Sequence, residues 1–409
     1  MDESRPFPPH SRDASWVAGP RMVRVNETFR KFLHVHRSQM PQAAAAMKKR
    51  ARDEDPPLSR NPSAGLGDIM GHRQPLPVSS KTLAKFTPLQ RVVLSANGNL
   101  QRLVSSFHNS AVTIKSRYNR VVHRGLIERE VELIVFGTIF GVATSTVQLS
   151  RADLISAMEE QGLAIGQLFR HLNVMPNFDL RDAGHLDPGA LADGEPAVER
   201  FYREYELSGD GVKCEIREVL RADLFELTPP ATLGPVESGG ASMGDIMAPN
   251  VTFTPLPDSF APLERLLLTA NGNVARILSS YYARPMQLYV SSNHKRECAS
   301  VYDRQTALLL DGHQLMLAKT TAFITDPVWL EAVEKNGADV GSLFRYFSEL
   351  PTFTLCTSGR GPDFFWRQYQ LRASGLTCEI NETFPLNVLE EDAHSVFSER
   401  SCSTEHGGF

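Results

Sequence analysis

Two kinds of ionisable residue recur at matching places along this chain. Arg129 and Arg304 each precede an apolar run that reads as a strand, and Glu218 and Glu382 each stand near the end of a later strand. A planar guanidinium matches the two oxygens of a carboxylate. A carboxylic acid in an apolar cavity can have a raised pKa and act as an acid or a base. The pattern therefore indicates a site for a small carboxylated molecule.

A purely structural interpretation of these four residues is also open. Each arginine could pair with the glutamate of its own half of the chain across neighbouring strands, so that the pair only neutralises two charges. On residue types alone, this interpretation is favoured over a ligand site.

The comparison is possible because the chain carries two copies of one domain. Residues 89–108 read LQRVVLSANGNLQRLVSSFH, and residues 263–282 read LERLLLTANGNVARILSSYY. Apolar residues on both sides of the shared Ala-Asn-Gly-Asn recur at helical spacing. An Asn-Gly pair can end one helix in the left-handed conformation, and the next Asn can cap the following helix. Each copy is therefore predicted to begin with a helix–turn–helix hairpin that covers the site.

The remaining elements predict an α+β fold with an antiparallel sheet in each copy. The predicted strands of the first copy cover residues 112–115, 130–135, 138–144, 200–208 and 213–220. Those of the second copy cover residues 287–290, 306–310, 314–319, 365–374 and 376–383. A further helix is predicted over 154–169 and over 329–344, and the helices of each copy are expected to cover an internal cavity.

Composition places the boundaries of the two copies. Residues 1–63, rich in Pro, Ser, Arg and Asp, are predicted to be disordered, and the sequence leaves open whether the basic cluster at 48–52 directs nuclear import. The first copy spans residues 64–227 and the second spans 241–391, joined by the Pro- and Gly-rich linker 228–240. Residues 392–409 are predicted to be a flexible tail. We expect the two copies to pack together.

Bulk properties argue against several classes of protein. The chain has 409 residues, 42% of them hydrophobic, and a formal net charge of −4, which indicates neither a nucleic-acid partner nor an anionic membrane. The chain has no apolar run of about 18 residues, so no membrane span is predicted. Five scattered cysteines without C-x-x-C spacing favour reduced thiols, a cytoplasmic location and the absence of a zinc site. No P-loop, G-x-G-x-x-G or H-E-x-x-H occurs, so no cofactor or metal is expected.

Several short segments of the second copy resemble the chorismate lyase family, which releases pyruvate from chorismate to leave 4-hydroxybenzoate. Residues 301–312, VYDRQTALLLDG, resemble that family's hairpin, in which a pocket Arg begins a strand that ends in an Asp-Gly turn. Residues 317–320 resemble its return strand, and residues 374–382 resemble its last hairpin, which carries the catalytic Glu. Residues 337–344 resemble the family's glycine-containing segment whose backbone lines the pocket. The resemblance implies a tandem chorismate lyase-like fold, without cofactor.

The resemblance also implies roles for individual residues. Arg304 would hold a carboxylate of the substrate, and Glu382 would contact the ring oxygen and transfer a proton as enolpyruvate leaves. Val340 and Gly341 would form the pocket wall, and Lys319 would be a further substrate-binding residue.

The first copy matches the second only in part. Its corresponding residues are Arg129, Glu218, Ile165 and Gly166. It has Thr144 where the second copy has Lys319, its last turn is longer, and residues 185–196 are an insertion. Members of the family are typically single domains, so the duplication is a further departure. The second copy is therefore where activity is expected first.

Three functions remain open at this stage. The first is a lyase acting on chorismate or a related carboxylated ring compound. The second is another enzyme on the same scaffold, such as a cyclase or isomerase of secondary metabolism. The third is a protein that binds a small aromatic acid without converting it.

Overall fold

The structure, a computed structural model, describes residues 80–159, 169, 172–173, 175–194, 196–230, 251–252, 255–297 and 300–389. All of these residues fall in a single unit of the chain. The predicted disordered region, the basic cluster, most of the linker and the tail lie outside the described residues.

Both copies begin with the predicted helix–turn–helix. Gln90 donates its backbone N–H to the Thr87 hydroxyl at 3.3 Å, and the Thr87 N–H donates to the Gln90 side chain at 3.0 Å, so a capping box starts the first helix. Gly98 and Gly272 have φ values of 83° and 84°, in the left-handed region that favours glycine. The predicted cap is wrong, because the asparagine after each of these glycines makes no side-chain capping hydrogen bond.

The helices are short in the part of the chain that the structure describes. They are α1 (Ser80–Leu83), α2 (Pro88–Leu94), α3 (Leu100–His108), α4 (Ala152–Glu159), α5 (Pro262–Leu268), α6 (Val274–Tyr282), α7 (Pro327–Glu334) and α8 (Leu343–Tyr346). A 3-10 turn, Val340–Ser342, precedes α8. None of the described helices is long and apolar enough to cross a membrane.

Each copy contains one antiparallel sheet. The strands of the first sheet are β1 (Val112–His123), β2 (Leu126–Val135), β3 (Thr138–Leu149), β4 (Asn177–Gly189), β5 (Val198–Gly209), β6 (Val212–Arg221) and β7 (Val251–Thr252). The strands of the second are β8 (Gln287–Lys295), β9 (Val301–Leu310), β10 (His313–Ile324), β11 (Thr352–Arg360), β12 (Phe364–Arg372) and β13 (Leu376–Pro385).

The two sheets share one topology. Their orders are β4-β5-β6-β3-β2-β1 and β11-β12-β13-β10-β9-β8, and the two-residue β7, from the segment assigned to the second copy, extends the first sheet beside β1. The predicted α+β fold with two tandem sheet domains is confirmed at this level.

Two sequence predictions differ from the structure. Each sheet has an edge strand, β4 or β11, that the prediction omitted, because its polar–apolar alternation is clear only over the first four residues, 177–180 or 352–355. The single helix predicted over 329–344 is wrong, because α7 ends at Glu334. Gly337, with a φ of 69°, separates α7 from the 3-10 turn, and a left-handed glycine terminates a helix.

Strand alternation decides which side chains face the core. In β9, Tyr302, Arg304 and Thr306 are buried, whereas Asp303 and Gln305 between them are more exposed. The buried faces of both sheets and the helices α2, α3, α5 and α6 contribute to one continuous apolar cluster. An arginine on such a face loses its hydration and therefore needs an acceptor or an anion close by.

Arginines of each copy bind helix ends of the other copy. Arg91 on α2 donates to the carbonyl oxygen of Ser280 at 3.0 Å and to that of the next residue. Arg265 on α5 donates reciprocally to the carbonyl oxygen of Ser106 at 2.9 Å and to that of the next residue. The last carbonyls of a helix lack partners within the helix and carry partial negative charge. The guanidiniums supply those partners, so the helix pairs of the two copies stabilise each other.

Candidate functional site

A small cavity lies on the buried face of the second sheet. Its volume is about 80 Å³, and Gly272 of the helix–turn–helix forms part of its wall. The cavity brings together four of the residues that the sequence singled out, namely Arg304, Glu382, Val340 and Gly341. Its remaining walls are largely apolar and include Leu288, Phe344, Leu371 and Ile380.

Arg304 enters this cavity already paired. Strand β9 places its side chain on the buried face, where it is 6% exposed. Its Nη1 donates to both carboxylate oxygens of Asp339, at 2.7 and 2.8 Å. The Asp339 side chain is 49% exposed, so the pair links a buried cation to a carboxylate at the surface.

Gly341 provides the space that the Arg304 guanidinium occupies. A Cβ atom added to Gly341 would lie 2.9 Å from the Cζ of Arg304 and 3.1 Å from Oδ2 of Asp339. Both contacts are shorter than ordinary van der Waals separations. A glycine at this position therefore lets the backbone of the 3-10 turn approach the ion pair closely.

Glu382 is held on both of its oxygens. Arg367 lies directly opposite it on β12, and the Arg367 Nε donates to Oε2 at 2.7 Å. The Tyr369 hydroxyl donates to Oε1 at 2.8 Å. Burial, together with the carboxylate, raises the pKa of Tyr369 well above its ordinary value, so the hydroxyl stays protonated and remains a donor.

The first copy repeats this arrangement around Glu218. The Nε of Arg203 donates to Oε2 at 2.7 Å, and the Tyr205 hydroxyl donates to Oε1 at 2.9 Å. Burial and the carboxylate likewise raise the pKa of Tyr205. The same network occurs in both copies with nearly the same distances, which indicates a shared structural role.

That role is to anchor the turn of the helix–turn–helix on the sheet. Nη1 of Arg203 donates to the carbonyl oxygens of Val93 at 2.7 Å and Ala96 at 2.6 Å, at the end of α2. Nη1 of Arg367 donates to those of Leu268 and Ala270, at the end of α5. One buried arginine thus joins the end of a helix to a buried glutamate, and we call this arrangement the Arg–Glu–Tyr brace.

Sequence reasoning missed the arginine and the tyrosine of the brace. They belong to FYREY, residues 201–205, and FWRQY, residues 365–369, which recur at the same spacing as the two glutamates. That recurrence was the available signal. The proposed cross-strand pairing of Arg304 with Glu382 is wrong, because β10 lies between their strands.

Lys319 does not face the cavity, which corrects the prediction that it binds substrate there. It lies on β10 between Ala318 and Thr320, both of which line the cavity, and adjacent strand residues point to opposite faces. The side chain of Lys319 is exposed. Its counterpart Thr144 likewise projects away from the buried face, so this difference between the copies does not alter the cavity.

The remaining predicted residues belong to the first copy. Arg129 occupies the same register as Arg304, opposite Ser145 where Arg304 is opposite Thr320. It is partly buried, and this burial lowers its pKa. Ile165 and Gly166, predicted to line the pocket of this copy, lie outside the described residues.

No family model matches the sequence, and no curated protein is similar to it. Among solved structures, the Pseudomonas aeruginosa MucA/MucB complex aligns over 72% of this chain and 96% of that chain, with 11% identity and a TM-score of 0.13.

Proposed function

We propose that this protein binds a small carboxylated ring compound through a buried-face arginine in a tandem chorismate lyase-like fold. The observation that carries the proposal is Arg304, a buried guanidinium in the wall of an otherwise mostly apolar cavity. A carboxylate satisfies such a group better than water or a neutral polar group does, because two oxygens match the guanidinium fork and bring the opposite charge. The apolar walls suit a ring.

Binding without conversion fits the surroundings of Glu382 better than lyase chemistry does. Both of its oxygens accept hydrogen bonds, one from Arg367 and one from Tyr369. Proton transfer to the leaving enolpyruvate would need an oxygen of Glu382 that can reach the substrate, and both oxygens are already engaged. The brace therefore supports a structural role for Glu382.

Lyase activity is the second candidate, and one observation favours it. Glu382 and Arg304 line the same cavity, as the resemblance to chorismate lyase requires of its acid and its carboxylate-binding residue. A ligand that displaced the Tyr369 hydroxyl from Oε1 would gain direct access to the carboxylate.

The small volume of the cavity restricts what it can bind, whether the protein only binds a ligand or also converts it. A cavity of about 150 Å³ can hold benzene, and ligand pockets usually measure about 300–1,000 Å³. The 80 Å³ of this cavity is smaller than either. Binding of a ring in the second copy therefore requires part of the wall to move, and Leu288, which is 44% exposed, is an exposed part of that wall.

The test combines a binding assay with a turnover assay. Purified protein is titrated with 4-hydroxybenzoate, and separately incubated with chorismate while 4-hydroxybenzoate and pyruvate are followed, beside Glu382→Gln and the Arg129→Ala, Arg304→Ala double variant. We expect saturable binding that the double variant loses, and no turnover. Turnover that Glu382→Gln abolishes would establish the lyase instead. An absence of both binding and turnover would overturn the proposal.

A further inference from the structure

Each sheet has an outer face, opposite the face that packs on the apolar cluster. In the first copy, the polar groups of this outer face bind one another. Arg217 on β6 forms an ion pair with Glu204, which lies directly opposite it on β5. The Cζ atom of Arg217 also lies 4.3 Å from the ring centroid of Tyr202, and the Tyr202 hydroxyl donates to Asp182 at 2.8 Å. The outer face of the first copy therefore needs no further partner.

The second copy has neutral residues in place of this ion pair. By their spacing from the Arg–Glu–Tyr brace, the counterparts of Arg217, Glu204 and Tyr202 are Asn381, Gln368 and Trp366. Asn381 and Gln368 lie directly opposite each other, as the charged pair does. Among the residues that the structure describes, neither of these two amide side chains has a hydrogen-bond partner.

Two more polar side chains continue this row across the sheet. Asn381 is opposite Lys319 on β10, and Lys319 is opposite Gln305 on β9. In the described part of the chain, the side chains of Lys319 and Gln305 also have no hydrogen-bond or ion-pair partner. Desolvation by its neighbours lowers the pKa of Lys319, so an anion close by would stabilise its charge. We call Gln305, Lys319, Asn381 and Gln368 the amide row.

The amide row points away from the cavity. Gln305, Lys319 and Asn381 each stand between two residues that line the cavity, and Gln368 precedes Tyr369, which also lines it. Adjacent strand residues point to opposite faces, so all four side chains lie on the outer face. Lys319 and Gln368 are exposed, and the other two are partly exposed. The amide row is therefore a second surface, separate from the cavity.

Trp366 lies flat on the sheet beside the amide row. A Cβ atom added to Gly359 on β11 would lie 2.6–2.8 Å from three atoms of the indole, so the ring rests on that glycine. Tyr202 rests on Gly184 in the same way, but its ring also carries the Arg217 guanidinium. Trp366 is partly exposed, and no ring or cation of the described residues contacts its indole. The indole can therefore stack on a bound ring.

We infer that Trp366 and the amide row form a binding surface for an oligosaccharide that carries a carboxylate. Side-chain amides both donate and accept hydrogen bonds, as sugar hydroxyls do. The negative face of an indole attracts the polarised C–H groups on the apolar side of a pyranose ring. Lys319 is the only cation of the row, so it matches a single carboxylate. The row crosses four strands about 4.8 Å apart, or about 14 Å, which accommodates several sugar units.

Other polymers fit this surface less well. A nucleic acid is held through several phosphates, and the amide row supplies one cation for them. An extended acidic peptide gains main-chain hydrogen bonds at the edge of a sheet and not on its face. The inference also does not depend on the proposed function, because the cavity lies on the other face of the sheet.

The experiment is calorimetric titration of the full chain with two matched pairs of oligosaccharides. One pair is xylotetraose with and without a glucuronic acid branch, and the other is a galacturonan tetramer and its methyl ester. We expect saturable binding in at least one pair, with the acidic member bound about two- to fivefold more tightly, as an exposed ammonium–carboxylate pair allows. In Lys319→Met, the acidic member should lose this advantage, and the neutral member should bind as before.

A double variant separates loss of binding from loss of folding. Gln368→Glu with Asn381→Arg rebuilds the ion pair of the first copy and places a guanidinium beside Trp366. This variant should bind both members of the pair at least about tenfold more weakly, with an unfolding midpoint no lower than that of the wild type, and Trp366→Ala should weaken binding similarly. Tyr202→Ala is the matched control in the first copy, and it should bind like the wild type.

Four results would overturn the inference. They are no binding of any of the four sugars by the wild type, undiminished binding by the double variant, a preference for the acidic member that persists in Lys319→Met, and binding of an oligonucleotide or polyglutamate in place of the sugars. Arg304→Ala should leave sugar binding unchanged. Loss of sugar binding in Arg304→Ala would place the sugar in the cavity and would also overturn the inference, without contradicting the proposed function.

Discussion

Replacing Arg367 with methionine should destabilise the second copy far more than replacing Arg304 with methionine. Both guanidiniums are buried, and both pair with a carboxylate. The difference lies in the partners. Glu382, the partner of Arg367, is 3% exposed, whereas the Asp339 side chain is 49% exposed.

The expected magnitudes follow from what each substitution leaves behind. Without Arg367, the Glu382 carboxylate stays buried with only the Tyr369 hydroxyl, and two carbonyls at the end of α5 lose their donor. Breaking a buried ion pair in this way costs about 3–5 kcal/mol. Without Arg304, Asp339 returns to water, and the loss of such a half-exposed pair costs about 0–1 kcal/mol.

The assay is thermal unfolding followed by circular dichroism. For a unit of this size, about 1 kcal/mol corresponds to roughly 2–4 °C, so Arg367→Met should lower the midpoint on the order of 10 °C and Arg304→Met only slightly. Arg203→Met, which breaks the same brace in the first copy, should behave like Arg367→Met. Equal decreases of the unfolding midpoint in Arg304→Met and Arg367→Met would refute the distinction between a brace residue and a binding residue.

Three further predictions concern packing, the helix ends and buried thiols. Gly341→Ala should destabilise the protein by at most about 1 kcal/mol in urea unfolding, because its Cβ would displace only the end of the Arg304 side chain from the half-exposed Asp339, and a loss of several kcal/mol would contradict this assignment. Arg265→Ala leaves carbonyls at the end of α3 without a donor, so it should lower the free energy of unfolding by about 1–3 kcal/mol in the same assay. An unchanged free energy of unfolding would show that water replaces the guanidinium as the donor. Burial raises the pKa of Cys378 from 9.0 to about 12, so its contribution to stability is complete below pH 9 and is lost as the pH rises toward 12. Cys378→Ala should therefore lose less unfolding free energy over that pH range than the wild type, and parallel curves would contradict the assignment.

The repeated segments allowed much of the fold to be predicted. The helix–turn–helix and the main strands follow from apolar spacing that both copies preserve. The edge strands β4 and β11 could not be predicted in this way. An edge strand has one free side and tolerates polar residues, so its alternation stops after four residues, near the shortest run that identifies a strand.

The sequence identified residues of the candidate site but not their hydrogen-bond and ion-pair partners. Recurrence in both copies singled out Arg304 and Glu382, but which arginine pairs with which carboxylate depends on strand order, and the sequence did not supply the order. Arg367 could have been found, since it recurs as Arg203. Asp339 could not, because the comparison of copies highlights what they share, and the first copy has Ala164 at that position.

The most direct test of the account is a titration of the full chain with 4-hydroxybenzoate, comparing the wild type with the variant in which both Arg129 and Arg304 are replaced by methionine. The account predicts saturable binding by the wild type and none by the double variant, at similar thermal stability because neither arginine belongs to a brace. Undiminished binding by the double variant would contradict the central claim that these arginines recognise the carboxylate.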